Sequence, residues 1–260
     1  MKVAAWLILF CIVPLHLPLL AASEVQPSRM ITIAPGGFTM GSSDEDIMWA
    51  AQQFFSESLD YYRDETPAHT VNLPAYKIDI TEVTVGQYQA YMMHTGAPVP
   101  KFMKIDRFNE YDQPVVGVTW QEATDYCATM NKRLPTEAEW EKAARGTDAR
   151  FYPWGNEPDL TRANVRGKKD GFRYTAPVGQ DAFGKSPYGV QDMAGNVWEW
   201  TADWYQPHPG NTVPNDFYGK QFKVIKGGSW FSNMDLARIS VRGKNLPDKR
   251  HNYIGFRCAQ

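Results

Sequence analysis

The residues best suited to chemistry lie between Pro187 and Tyr205. Asp192, Glu199 and Asp203 place three carboxylates within twelve residues, and Gly189 and Gly195 permit tight backbone turns among them. Hard oxygen donors on a short flexible segment are what Ca2+ takes. Side chains alternate along a strand, so Trp198 and Trp200 share one face and Glu199 points the other way. The stretch thus reads as a core strand, a calcium loop or the floor of a binding groove.

Other reactive residue types are sparse. His16, His69, His94, His208 and His251 are scattered, with no pair at the helical spacing of a metal site. Ser229 or Ser232 with His251 and Asp235 or Asp248 would form a nucleophilic set only if the fold assembled them, and serines after Gly-Gly are common in turns. Glu137, Glu139 and Glu141 read as a solvated helix start favoured by the dipole.

The elements that must position these residues are short. Ser/Thr-x-x-Glu/Gln capping patterns at Thr84/Gln87, Thr119/Glu122 and Thr136/Glu139 predict three helices, ending the first at Gly96 and the third at Arg145-Gly146. Ile47, Ala51, Phe54 or Phe55 and Leu59 recur at helical spacing, which predicts one amphipathic helix over 44–62, either covering part of a groove or merely packing. Short strands are expected within 30–40, on both sides of a Pro35-Gly36-Gly37 turn, and at 70–73 and 76–80. Beyond Gly146, turn signals replace periodicity while aromatics stay frequent, so that half is ordered irregular structure. Eight of the nine tryptophans lie beyond residue 23 and fill the core of a fold with few long elements. One α+β domain over 24–260 is expected.

The chain has 260 residues and a net charge of −2, which gives no electrostatic case for nucleic acid. Lys2, an apolar run to Leu20 and the small residues Ala21-Ala22-Ser23 read as a signal peptide over 1–23, so a periplasmic or secreted location is expected. Pro14 and Pro18 argue against stable membrane insertion of that run. Removing it leaves Cys127 and Cys258, an even count that suggests a disulfide in an exported protein.

Five motifs carry a resemblance. The run Asn131-Lys132-Arg133-Leu134-Pro135-Thr136-Glu137-Ala138-Glu139-Trp140-Glu141, then Tyr152-Pro153-Trp154-Gly155-Asn156, Ala194-Gly195-Asn196-Val197-Trp198-Glu199-Trp200-Thr201, Gly227-Gly228-Ser229-Trp230 and Gly255-Phe256-Arg257-Cys258 resemble hallmarks of the formylglycine-generating enzymes, the sulfatase-modifying factors, in that family's order. The resemblance implies a C-type-lectin-like fold low in regular structure and braced by calcium. Its first calcium maps onto Asn164, Val165, Asp170 and Phe172, and its second onto Asp192, Gly195, Val197 and Glu199. Glu65 matches a further acidic position linked to calcium. Asp170-Gly171 equally suits a plain hairpin turn. The family's structural disulfide maps onto Cys127 and Cys258, while a second would need cysteines where Ala144 and Arg242 stand.

The resemblance breaks at the reaction. Active members oxidise a sulfatase cysteine to formylglycine with two cysteines that bind Cu(I), a soft ion suited to thiolate. Here those positions are Ser232 and Ala237, and a pocket asparagine becomes Tyr253. A hydroxyl and a methyl do not replace two thiolates, so copper is not expected. Related ergothioneine-forming oxygenases bind iron through histidines of an added helical domain, which this sequence does not show. The sequence therefore points to an exported maturation enzyme or accessory factor, oxidoreductase-type but not thiol-based. Its substrate would be a protein, a peptide or a peptide-derived small molecule; some periplasmic relatives are implicated in siderophore chromophore maturation. The expected groove is Trp198, Ser229, Trp230, Ser232, Asn233 and Tyr253. The alternative is a non-catalytic, calcium-stabilised module binding peptide or glycan.

Overall fold

The computed structural model describes residues 28–180 and 183–260, so the expected leader over 1–23 lies outside the described residues. Four short helices form: α1 Asp44–Gln53, α2 Val85–Thr95, α3 Trp120–Thr129 and α4 Glu137–Arg145. Each starts with a reciprocal capping box, in which the cap hydroxyl of Ser43, Thr84, Thr119 or Thr136 accepts from the backbone N–H three residues on. The side chain at that third position accepts in return, which satisfies two N–H groups that a helix start otherwise leaves open.

The strand turn around Pro35 does not make a hairpin. Instead β1 (Met30–Ile33) pairs antiparallel with β4 (Tyr76–Asp79), and β2 (Gly36–Met40) pairs antiparallel with β3 (His69–Leu73). The principal sheet has the order β7-β6-β5-β8. Its centre is β5 (Trp198–Trp204), antiparallel to β6 (Lys223–Lys226) and parallel to β8 (Ile254–Gly255). The outer strand β7 (Gly243–Asn245) pairs with β6. Trp198 and Trp200 are both buried in the main core with Tyr88, Tyr126 and Phe256, as the alternation predicted. Cys127 of α3 is bonded to Cys258, tying that helix to the chain end beside β8.

The predicted helix over 44–62 is two pieces. It stops at Gln53, Phe55 turns left-handed at φ 54°, and a 3-10 turn restarts at Leu59–Glu65. Ser58 supplies the break, because its hydroxyl accepts from the Asp60 N–H at 3.1 Å and caps the new turn.

The start of α4 is not solvated. Glu137, Glu139 and Glu141 are 5 %, 6 % and 0 % exposed. Glu137 takes a two-pronged contact from Arg242 at 2.6 and 2.9 Å. Glu139 takes one from Arg133 at 2.6 Å on each oxygen, and Glu141 accepts from Lys226 at 2.9 Å and from the Gly41 N–H at 2.7 Å. Burial alone would raise the Glu137 carboxyl, but Arg242 holds it well below the usual carboxylate range. Arg242 thus places a buried guanidinium where a family disulfide cysteine would stand, and Ala144, the other such position, is fully buried.

Candidate functional site

Two irregular loops lie against the start of β5. Gly195 is left-handed at φ 86°, and a Cβ there would sit 2.3 Å from the Asn164 carbonyl oxygen, so only glycine allows this approach. Asn196 N–H donates to that same carbonyl at 2.8 Å, and Gly195 N–H donates to the Gly227 carbonyl at 2.7 Å. Asn164 Nδ2 donates to Asn196 Oδ1 at 3.2 Å and to the Tyr174 carbonyl at 2.8 Å. Loop 192–197 therefore fastens loop 164–174 to the Gly-Gly turn that precedes Ser229.

Several oxygens in these loops lack partners. Asn164 Oδ1, Asp170 Oδ2 and Asp192 Oδ1 are buried without a hydrogen bond. Buried polar atoms are almost always satisfied, so each calls for an account. The donors are amide and carboxylate oxygens, without nitrogen or sulfur, which fits a hard divalent cation. Among the described residues no three His, Cys, Asp or Glu side chains cluster to hold a metal, so backbone carbonyls such as those of Val165, Phe172, Gly195 and Val197 would have to complete either site. Both cysteines of the described chain are spent on the disulfide.

Two expected ligands are otherwise engaged. Glu65 is buried against Arg238 at 2.6 and 2.9 Å, with the hydroxyls of Ser42 and Ser240 also donating to it, so its carboxylate closes an ion pair and does not join the loops. Glu199 accepts from Arg257 on both oxygens, at 2.7 and 2.8 Å, and from the Trp140 indole at 2.9 Å. Residue type alone could not separate a ligand from an ion-pair partner.

The expected groove divides into four. Ser229 and Ser232 close a tight turn, their hydroxyls 3.1 Å apart, with Ser232 Oγ also accepting from the Ser229 N–H. Ala237 is fully buried among Tyr152, Ala163, Val165, Ala194 and Met234. Trp230 and Tyr253 belong to a separate aromatic surface, where Trp230 meets Tyr174 at 5.1 Å and Tyr253 stacks on His251 at 4.9 Å. Asn233 is exposed and precedes a 3-10 turn, Met234–Ala237. Among the described residues no hydrogen bond links His251 to either serine, so the Ser-His-Asp set is not assembled.

Only Trp198 of that expected set lines the large cleft, a hollow of about 660 Å3. Its walls are the 3-10 turn Leu59–Glu65, the 213–218 loop and the 236–244 segment. A second hollow of about 350 Å3 shares Tyr61, Leu236 and Val241 and extends the trough toward Phe54. Tyr61 is 79 % exposed on the rim, and Leu236, next to Ala237, is 38 % exposed. Deeper in, the Tyr205 hydroxyl donates to Asp64, and burial pushes the Asp64 carboxyl up. The Lys244 ammonium lies 5.2 Å from the Tyr205 ring and 4.4 Å from the Phe217 ring. The described lining contains neither a thiol nor an imidazole. Tyr61 and Leu236 escaped the sequence reading, although the idea that 44–62 walls a groove pointed to the right segment.

This α+β architecture, modest in regular structure, with a central tryptophan strand and knitted loops, is that of the formylglycine-generating enzyme fold. The description "Sulfatase-modifying factor enzyme 1-like domain" matches residues 17–260, and the chain belongs to that family. It is 31 % identical to the formylglycine-generating enzyme of Bos taurus over 90 % of this chain and 75 % of that one. It is 33 % identical to the inactive C-alpha-formylglycine-generating enzyme 2 of Mus musculus over 90 % of this chain and 77 % of that one. The solved structure of PvdO from Pseudomonas aeruginosa superposes with a TM-score of 0.73 at 26 % identity, covering 91 % of this chain and 96 % of that one. No helix among the described residues is long and apolar enough to cross a membrane.

Proposed function

We propose that this chain is an exported maturation or accessory factor that takes a protein, peptide or peptide-derived substrate in the Trp198–Lys244 cleft. Its action does not use the thiolate–copper oxidation of its active relatives. One observation carries this reading: the two thiol positions hold a hydroxyl bonded within its own turn and a methyl sealed in an apolar cluster, while Leu236, next to that methyl, lines an open cleft. Any oxidation it performs draws on groups other than cysteine. The likeness to a mammalian relative named inactive supports the same conclusion.

Calcium is part of the proposal. Asn164, Asp170 and the carbonyls of Val165 and Phe172 would hold one ion. Asp192 and the carbonyls of Gly195 and Val197 would hold the other. Bound there, the cation would neutralise buried carboxylate and fix loops that have little regular structure. Asn164 and Gly195 bring the two loops into backbone contact, so bracing either loop steadies the Gly-Gly turn and Leu236 beyond it.

A non-catalytic binding module is the second reading, favoured by the absence of thiol and imidazole from the described lining. Both readings require the cleft. Selection of a displayed random-peptide library on the native protein should return ligands whose affinity falls at least tenfold in Tyr61→Ala and in Leu236→Asp. A tenfold loss is about 1.4 kcal/mol. Both side chains are exposed, so neither variant should lower the melting temperature appreciably. Native affinity in both variants would remove the cleft from the account. A mass change in the bound peptide would separate enzyme from module.

A further inference from the structure

The aromatic surface around Trp230 lies outside the cleft and is edged with cations. Its rings run in contact from Phe108 to Tyr174 at 5.7 Å, Tyr174 to Trp230 at 5.1 Å and Trp230 to Phe231 at 5.5 Å. The Arg107 guanidinium lies over Phe108 and Tyr174, at 5.4 and 4.9 Å, and the Arg166 guanidinium lies 4.7 Å over Phe231. Arg173 lies 5.6 Å from the Tyr174 ring, and exposed Lys168 and Lys169 stand between Arg166 and Arg173 in the chain. The sequence as a whole has a net charge of −2, so this run of positive charge is a local feature.

These cations are not taken up by the chain's own acids. Among the described residues no carboxylate lies within ion-pair distance of Arg107, Arg166 or Arg173, although Asp106 and Asp170 are close in sequence. Arg166 is nevertheless held in place. Its backbone N–H donates to the Ser232 carbonyl at 2.8 Å, and its Nε donates to the Phe231 carbonyl at 3.2 Å. Neither terminal nitrogen of Arg166 has an acceptor among the described residues. Arg107 makes one long contact, from Nη1 to the Tyr174 hydroxyl at 3.4 Å. Two exposed guanidinium groups are thus supported by rings while N–H donors stay open, and a guanidinium fork grips a planar carboxylate through two hydrogen bonds. Ring support also leaves less side-chain freedom to lose on binding.

We infer that this face docks an acidic peptide segment, with Arg107 and Arg166 as its two carboxylate anchors. Charge complementarity selects an anion, and the rings narrow the choice. Phe108, Tyr174 and Phe231 already carry guanidinium groups, and Tyr253 stacks on His251, so little bare ring is left for a nucleobase or a pyranose to stack on. Of the contacting rings Phe231 alone is strongly exposed, at 53 %, and one ring is too small a wedge to seat the face in a bilayer. Asp and Glu side chains need neither a bare ring nor an apolar wedge. The inference stands whether or not the cleft takes a substrate.

The test is fluorescence-anisotropy titration of a labelled deca-glutamate peptide with native protein and variants at low salt. Native protein should bind it, and added salt should weaken the binding. Arg107→Gln combined with Arg166→Gln should weaken it about tenfold or more, as loss of charge-assisted hydrogen bonds does. Arg107→Lys combined with Arg166→Lys keeps the charge but not the fork, and should still weaken it roughly threefold or more. Lys77→Gln combined with Lys220→Gln removes the same charge from exposed positions on β4 and the loop before β6, and should change it by less than about twofold. All of these side chains are exposed, so every variant should melt near the native temperature. No binding by native protein, native affinity in either double arginine variant, or an equal loss in the double lysine variant would overturn the inference. Phosphatidylglycerol vesicles and a sulfated oligosaccharide of equal charge are the rival ligands. Tighter binding of either one through the same arginines would overturn the peptide as occupant.

Discussion

Arg257→Met should be the most damaging single substitution away from the cleft. The side chain is fully buried, and it ties Glu199 on β5 to the carbonyls of Asp79, Ile80 and Gln191. Methionine fills similar space but donates nothing. It leaves the Glu199 charge unpaired in the core, with only the Trp140 indole donating to it, and takes a donor from the Asp79, Ile80 and Gln191 carbonyls, of which Ile80 still accepts from the Gln191 N–H. Breaking a buried pair by removing one partner costs roughly 3–5 kcal/mol. For a domain of this size that lowers the melting temperature by roughly 6–20 °C. Adding Glu199→Gln should recover part of the loss, because the stranded charge is then gone. Arg107→Met is the control: Arg107 is exposed over Phe108 and Tyr174, and its loss should cost no more than about 0.5 kcal/mol. Thermal or urea melts of the four proteins read the result, and a native-like Arg257→Met would contradict this account of the core.

Chelation should have the next largest effect. A ligand present at a hundredfold over its dissociation constant stabilises the folded state by about 2.7 kcal/mol. For one calcium that converts to roughly 5–10 °C in melting temperature. The orphaned oxygens of Asn164, Asp170 and Asp192 are the structural basis for expecting it. Scanning calorimetry with excess chelator, followed by calcium in excess of the chelator, should show a fall that reverses. Magnesium should restore little, because it dehydrates reluctantly and demands near-ideal octahedral geometry. An unchanged melting temperature would remove calcium from the account.

What the sequence disclosed was mainly local. A capping box is written within four residues, so α2, α3 and α4 were legible at Thr84, Thr119 and Thr136. Strand alternation is local too, and it put Trp198 and Trp200 in one core and Glu199 on the other side. The errors concern partners far along the chain. Glu137 reads as a solvated helix start until Arg242 arrives from 105 residues away. Glu65 reads as a cation ligand until Arg238 arrives from 173 residues away. The six-residue groove failed for a related reason. Motif proximity put Ser229, Ser232 and Trp230 together, but the turn that Ser229 and Ser232 close directs Phe231 to solvent and seals both hydroxyls.

The central claim is that the family scaffold persists here without its thiol chemistry. The most direct measurement offers the native protein a cysteine-containing sulfatase peptide with Cu(I), a thiol reductant and oxygen, and follows the peptide by mass spectrometry. The account predicts that the cysteine stays unchanged and no aldehyde forms, since Ser232 and Ala237 present no thiolate to the metal. Steady conversion of the cysteine to formylglycine by the native protein would contradict it.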